Sequence, residues 1–215
     1  MIKIESVINI IRRQVRDFAV PSVTTISQKK DPYQVLVSCI LSLRTKDKTT
    51  IQASDRLFKI ADNPYAMSKL STAKIKELIY PVGFYRRKAK VILDLSNRIL
   101  KDFKGKVPNR IEDLLSFNGV GRKTANLVLG LGFNIPAICV DTHVHRISNR
   151  LGWVKTKNPE DTEYKLIKII PKHLWVELNT ILVSFGQNLC FPISPFCSQC
   201  RVFKFCKKIG VKKYR

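Results

Sequence analysis

The chain has 215 residues in which Lys and Arg outnumber Asp and Glu by 39 to 16, a formal charge of +23. That excess is far beyond what solubility requires and points to a polyanionic partner, either nucleic acid or an acidic membrane surface. No stretch approaches the roughly 18 to 20 uncharged apolar residues of a spanning helix, and the first segment, MIKIESVINIIRRQ, lacks a signal-peptide core and cleavage site; a soluble intracellular protein, cytoplasmic or nucleoid-associated and with no membrane partner, is therefore expected.

Helical spacing opens the chain, with apolar residues at Ile4, Val7, Ile8, Ile11 and Val15, and Pro21 breaks that pattern. Asp31 before Pro32 marks the next start, a capping side chain followed by a residue tolerated in the first turn. Ser71 before Thr72 and Ala73, and Asn158 before Pro159, repeat that signal. Further breaks at Pro64, Pro81 with Gly83, Pro108, Gly119, Gly152 and Pro171 divide the chain into roughly ten short helices, with no low-complexity linker and no repeat. The last helical pattern runs through Leu174, Leu178, Ile181, Leu182 and Phe185. No alternating strand is found, so an all-α fold is predicted.

After Gly186 the chain carries Pro192 and Pro195 and few apolar residues, so something else must hold it. Four of its cysteines, Cys190, Cys197, Cys200 and Cys206, follow the spacing C-x6-C-x2-C-x5-C. An intracellular setting disfavours disulfides and leaves a metal centre, with thiolates suited to zinc or iron-sulfur. Zinc sites commonly use two close Cys pairs, and this tail has one, which favours iron-sulfur. Arg201, Lys204, Lys207, Lys208, Lys212, Lys213 and Arg215 interleave with these thiols as a basic surface for phosphates. Cys39 and Cys139 stand alone in apolar surroundings and are expected to be buried thiols.

Residues 114–125 read LLSFNGVGRKTA: a short apolar helix, a turn holding Gly119 and Gly121, then a helix from about Arg122. Glycines there allow positive φ and close backbone approach, and the turn aims amide N–H groups at an anion such as a DNA phosphate.

LSLRTKD at 41–47, GFYRRKA at 83–89, the hairpin NGVGRKTA, the run VDTH at 140–143 and the four-cysteine spacing occur in this order over nearly the whole chain, which resembles the endonuclease III family of helix-hairpin-helix DNA glycosylases. The resemblance implies two helical domains flanking an active-site cleft. Residues 22–135 would form a six-helix barrel with the hairpin at about 114–125, and residues 1–21 plus 136–215 a second domain whose loop, 190–206, binds a 4Fe-4S cluster. It implies a monomer that removes oxidised pyrimidines from double-stranded DNA and nicks abasic sites.

In that family's chemistry Lys123 would be the nucleophile and Asp141 the acidic partner. Losing a base develops positive charge on the sugar, which a carboxylate stabilises while an amine captures C1′. Lys123, in the first turn of the second hairpin helix, is expected to feel the positive end of the helix dipole, which favours the neutral amine, while a close Asp141 would favour the ammonium. The target base must leave the stack, and Arg44 and Phe84 match the family's plug positions. Gly119, Val120, Gly121, Arg122 and Thr124 match its DNA-contacting hairpin, and Asp47, Thr142 and His143 match positions near the pocket. Two departures are Arg44, where well-known bacterial members have Gln, and Asn118, where Pro usually precedes the hairpin glycine. Without the resemblance, Lys123 reads as a phosphate contact and Asp141 as a helix cap. A mismatch- or adenine-specific glycosylase and a non-catalytic iron-sulfur DNA-binding or electron-transfer module stand as alternatives. Lys123 argues against the first, and nicking of abasic DNA separates the second.

Overall fold

The structure, a computed structural model, describes residues 3–28 and 31–215, and among these there is no β-strand. The helices are α1 (Ile4–Gln14), α2 (Ser22–Ser27), α3 (Pro32–Ser42), α4 (Asp47–Ile60), α5 (Pro64–Ser68), α6 (Thr72–Ile79), α7 (Tyr85–Phe103), α8 (Ile111–Leu115), α9 (Arg122–Leu127), α10 (Thr142–Leu151), α11 (Pro159–Ile169) and α12 (Trp175–Asn188). None of them is long and apolar enough to cross a membrane. Three helix starts expected from capping signals are present as such. Asp31 accepts from the Gln34 amide at 2.9 Å, Ser71 from that of Lys74 at 3.1 Å and Asn158 from that of Asp161 at 2.8 Å. Each such cap is worth about 1 kcal/mol to its helix.

The chain forms two compact units, Ser22–Ile135 and Met1–Pro21 with Pro136–Arg215. The first is built around α3, which is buried continuously from Tyr33 to Leu41. A helix apolar on every side belongs at the centre, and α2, α4, α7 and α9 pack against it. The Tyr33 hydroxyl, carried into that interior, meets the Ser96 hydroxyl of α7 at 2.6 Å, so neither is left without a partner. Helix α7 is amphipathic and buries Lys88, Ala89, Ile92, Leu95, Ser96 and Ile99. The short helices α5 and α8 are single turns, and after α9 the coil widens over Val128–Gly132.

In the second unit α1, α10, α11 and α12 share a core containing Ile8, Ile11, Val144, Ile147, Leu166, Leu178, Leu182 and Phe185. Arg12 of α1 pairs with Glu177 of α12, and Gly152 ends α10 with a φ of 79° that a side chain would strain. The tail contributes more to this core than its composition predicts. Leu189 and Val202 are buried, and Cys190, Phe196, Cys200 and Cys206 pack partly buried against it.

Candidate functional site

The turn between α8 and α9 is tight because Gly119 adopts φ +82°, and a Cβ there would lie 3.0 Å from Val91. Gly121 differs from expectation. Its φ is −100°, in ordinary extended backbone, and a Cβ would meet nothing within 4 Å, so only the first glycine is required by conformation. The Val120 side chain is buried and its amide donates to the Phe117 carbonyl at 3.2 Å; the Thr124 side chain is buried too. Both side chains point into the unit. Any contribution they make to an anion comes from the backbone. Arg122 is half-buried, and Lys123 is exposed in the first turn of α9.

Lys123 lies within electrostatic reach of Cys39 on α3. Burial pushes the Cys39 thiol up to about 12, with the nearby lysine opposing that rise, so the thiol stays protonated and inert at neutral pH. Cys39 and Cys139 are both buried, as their surroundings in sequence suggest.

Arg44 and Phe84 come together although forty residues part them in sequence. Both are exposed, both sit in the left-handed region with φ 53° and 59°, and the Arg44 guanidinium lies 5.6 Å from the Phe84 ring centroid. Phe84 is 61% exposed, so it is no core residue. Both line a groove of about 430 Å³ that also reaches Lys88 and the hairpin Gly119. The groove thus joins Arg44 and Phe84 to the hairpin on one unit. Asp47, on the same unit, opens α4 and accepts from the Ser22 hydroxyl at 2.6 Å, which ties α2 to α4; it is not the N-cap, a place held by Lys46.

In the other unit Asp141 caps α10. Its Oδ1 accepts from the His143 amide at 2.9 Å and the Val144 amide at 2.8 Å, which fixes the carboxylate and leaves Oδ2 outside the cap. Thr142 is exposed and His143 half-buried. His143 packs against Gly186, where a Cβ would fall 2.4 Å from its Nδ1, and that nitrogen is 3.2 Å from Arg146 Nη2.

All four tail cysteines line a single cavity, together with Arg150, Phe185, Leu189 and Val202. The thiols therefore fit one inorganic centre. Burial raises Cys200 to about 11 and lifts Cys197 and Cys206, with repulsion from the neighbouring thiols adding to it, so metal ligation must displace these protons. Arg150 is buried and donates to Cys190 Sγ at 3.2 Å, to the Phe191 carbonyl at 2.8 Å and to the Pro192 carbonyl at 3.1 Å. Arg146, one turn earlier, donates to the Cys190 carbonyl at 2.9 Å. Burial lowers the Arg146 pKa from its usual value.

Sequence reasoning passed over Arg146, Arg150 and Lys88. The i, i+4 spacing of the two arginines puts them on one face of α10, and Lys88 falls on the buried stripe with Ile92, Ser96 and Ile99. Periodicity flags that lysine, but in a chain so rich in basic residues its charge hides it.

Residues 37–172 match the model of the HhH-GPD superfamily of base excision DNA repair proteins. The chain is 46% identical over 180 residues to Endonuclease III of Thermotoga maritima, covering 84% of each. It is 45% identical over 183 residues to Endonuclease III homolog 1, chloroplastic, of Arabidopsis thaliana, covering 81% of this chain and 48% of that one, so it spans about half the length of the plant relative. Among solved structures it is similar to an endonuclease III bound non-covalently to DNA, with a TM-score of 0.84, 29% identity and 97% of each chain covered.

Proposed function

The chain belongs to the HhH-GPD superfamily and within it to the endonuclease III family, and from that premise we propose a bifunctional base excision repair enzyme that frees oxidised pyrimidines from duplex DNA and nicks abasic sites through Lys123. The observation that carries this reading is the exposed Lys123 in the first turn after the Gly119 hairpin, where backbone amides and a helix start favour a DNA phosphate alongside the amine.

The unprotonated amine of Lys123 attacks C1′ of the extruded nucleotide as the base departs with the electron pair of the glycosidic bond. The Asp141 carboxylate, held rigid by its cap, stabilises the positive charge that grows on the sugar. The C1′ adduct opens to a Schiff base, which acidifies the C2′ proton; loss of that proton breaks the C3′–O bond, and the 3′ phosphate leaves with its electron pair. Water then hydrolyses the Schiff base and returns the amine. Arg44 and Phe84 fill the gap in the stack, with Phe84 as the apolar wedge.

Cys190, Cys197, Cys200 and Cys206 would hold a 4Fe-4S cluster, whose contribution is to cross-link the tail. Thiols spread around a shared cavity suit a cluster of several ions. Arg201, Lys204, Lys207, Lys212 and Lys213, all exposed, would then meet phosphates, and binding should weaken steeply with salt. The proposed active form is an intracellular monomer.

Incubating the protein with a duplex carrying an abasic site and borohydride tests the reading. A covalent adduct on Lys123 is expected, with nicking reduced by about three orders of magnitude in Lys123→Gln. A trapped adduct that persists in Lys123→Gln refutes it. A glycosylase that only excises bases would give no adduct in either protein.

A further inference from the structure

We propose that Lys88 is a positioning residue for base extrusion: from its buried place between the α3–α4 turn and the start of α7, its ammonium holds Arg44 and Phe84 in the conformation in which they enter the duplex, without itself touching DNA. The inference rests on the reading above, in which those two side chains fill the stack.

Lysine is almost never buried without a partner, and Lys88 is 6% exposed. Its three N–H donors find three acceptors: the Leu41 carbonyl at 2.8 Å, the Leu43 carbonyl at 2.5 Å and Thr45 Oγ1 at 3.2 Å. Leu41 lies in the last turn of α3 and Leu43 is its C-cap, so these are carbonyls that the helix itself leaves unpaired, at the negative end of its dipole. None of the three partners is a carboxylate. Burial lowers the lysine pKa to about 8, the cost of placing an ammonium here.

The Thr45 hydroxyl extends the link to the second loop. It accepts from the Gly83 amide at 3.2 Å as well as from Lys88, and donates to the Leu43 carbonyl at 3.3 Å. Gly83 presses so close that a Cβ would lie 2.5 Å from the Arg44 carbonyl oxygen. The chain on either side of this knot carries Arg44 and Phe84, two of the six non-glycine residues with positive φ among the described residues. Such conformations persist only where the surroundings over-determine them, and Lys88, Thr45 and Gly83 supply that constraint. The wedge is thereby set before DNA arrives, and the entropy of ordering two loops is not charged to binding.

The test uses 2-aminopurine beside a tetrahydrofuran abasic analogue in a duplex, whose fluorescence rises on unstacking, together with nicking of a true abasic site in duplex and in single-stranded DNA. Lys88→Met should lower the fluorescence rise and duplex nicking by about tenfold, and single-strand nicking, which needs no wedge, by only about twofold. Thr45→Val, which removes one acceptor and keeps the lysine, should act in the same direction by about threefold, and it decides the matter if Lys88→Met does not fold. In a protein already carrying Arg44→Ala and Phe84→Ala, Lys88→Met should cost no more than that wedge-independent loss of about twofold. Equal losses on duplex and single strand, or additive losses in that background, would overturn the inference. If the unmodified protein nicks the abasic duplex while Lys88→Met keeps its fluorescence rise, Lys88 alone is misassigned. If the unmodified protein neither nicks nor unstacks, the functional reading fails and takes this inference with it.

Discussion

Two irregular segments of this protein are each held by one buried cation, yet they are completed in different ways. At the α3–α4 turn, Lys88 donates into the Leu41 and Leu43 carbonyls. In the tail, Arg150 donates into the Phe191 and Pro192 carbonyls. The first knot closes with protein alone, through the Lys88 ammonium, the Thr45 hydroxyl and the Gly83 amide. The tail has a longer unstructured path, and its planar guanidinium organises carbonyls around a cavity lined by four thiols. Short loops next to a helix end can be preorganised by a single side chain; in the tail, poor in apolar residues of its own, the proposed cluster would add a cross-link to what Arg150 supplies.

That contrast can be broken at the thiols first. Cys200→Ser should give the largest effect, loss of visible absorbance and of cooperative folding in the unit that carries the tail, measured by the near-ultraviolet dichroism of Trp153 and Trp175. The Lys88 knot has no thiol and should be untouched until that unfolding spreads. Arg150→Ala comes next. It strips the donors from two carbonyls and from Cys190 Sγ, and urea titration should show a loss of about 3 to 5 kcal/mol. If the loss is below about 1 kcal/mol, the tail is held by its thiols alone and the parallel with Lys88 fails.

The smallest effect sharpens the comparison through pH. The Lys88 pKa falls from 10.5 to about 8 in the folded chain through burial. Between those values the unfolded chain binds more protons, so stability contributed by this group rises with pH, is complete above about 10.5 and is lost as pH falls through about 8. The difference in unfolding free energy between the unmodified protein and Lys88→Met should therefore shift in favour of the former by up to about 3 kcal/mol across that window. Arg44 and Arg87 are the other charged side chains lining the groove. A flat difference would mean that the ammonium is solvated and that the knot is looser than it looks.

Much of the fold was legible because its signals act within one helical turn. Asp31, Ser71 and Asn158 bond to amides three residues on, so their caps can be read from adjacent letters. Family membership was legible because ordered motifs survive as local strings. The site was legible less evenly. Lys123 and Asp141 are singled out by the family resemblance that the hairpin and VDTH carry, and the structure adds the exposure of the first and the two amide bonds of the second. Val120 and Thr124 share the hairpin string but face inward, and no local feature says so.

What the amino-acid order determined by itself is the helical character, the helix starts, the basic charge and the grouping of four thiols, all of them properties of composition or near-neighbour geometry. Only the tertiary structure decided that Lys88 is buried against carbonyls up to 47 residues away, and that Arg150 braces a segment 41 residues beyond it. A lysine reads the same in sequence whether it ends in water or at a helix terminus. Its role depends on which unpaired carbonyls the folded chain brings within 3 Å, and that is settled by packing.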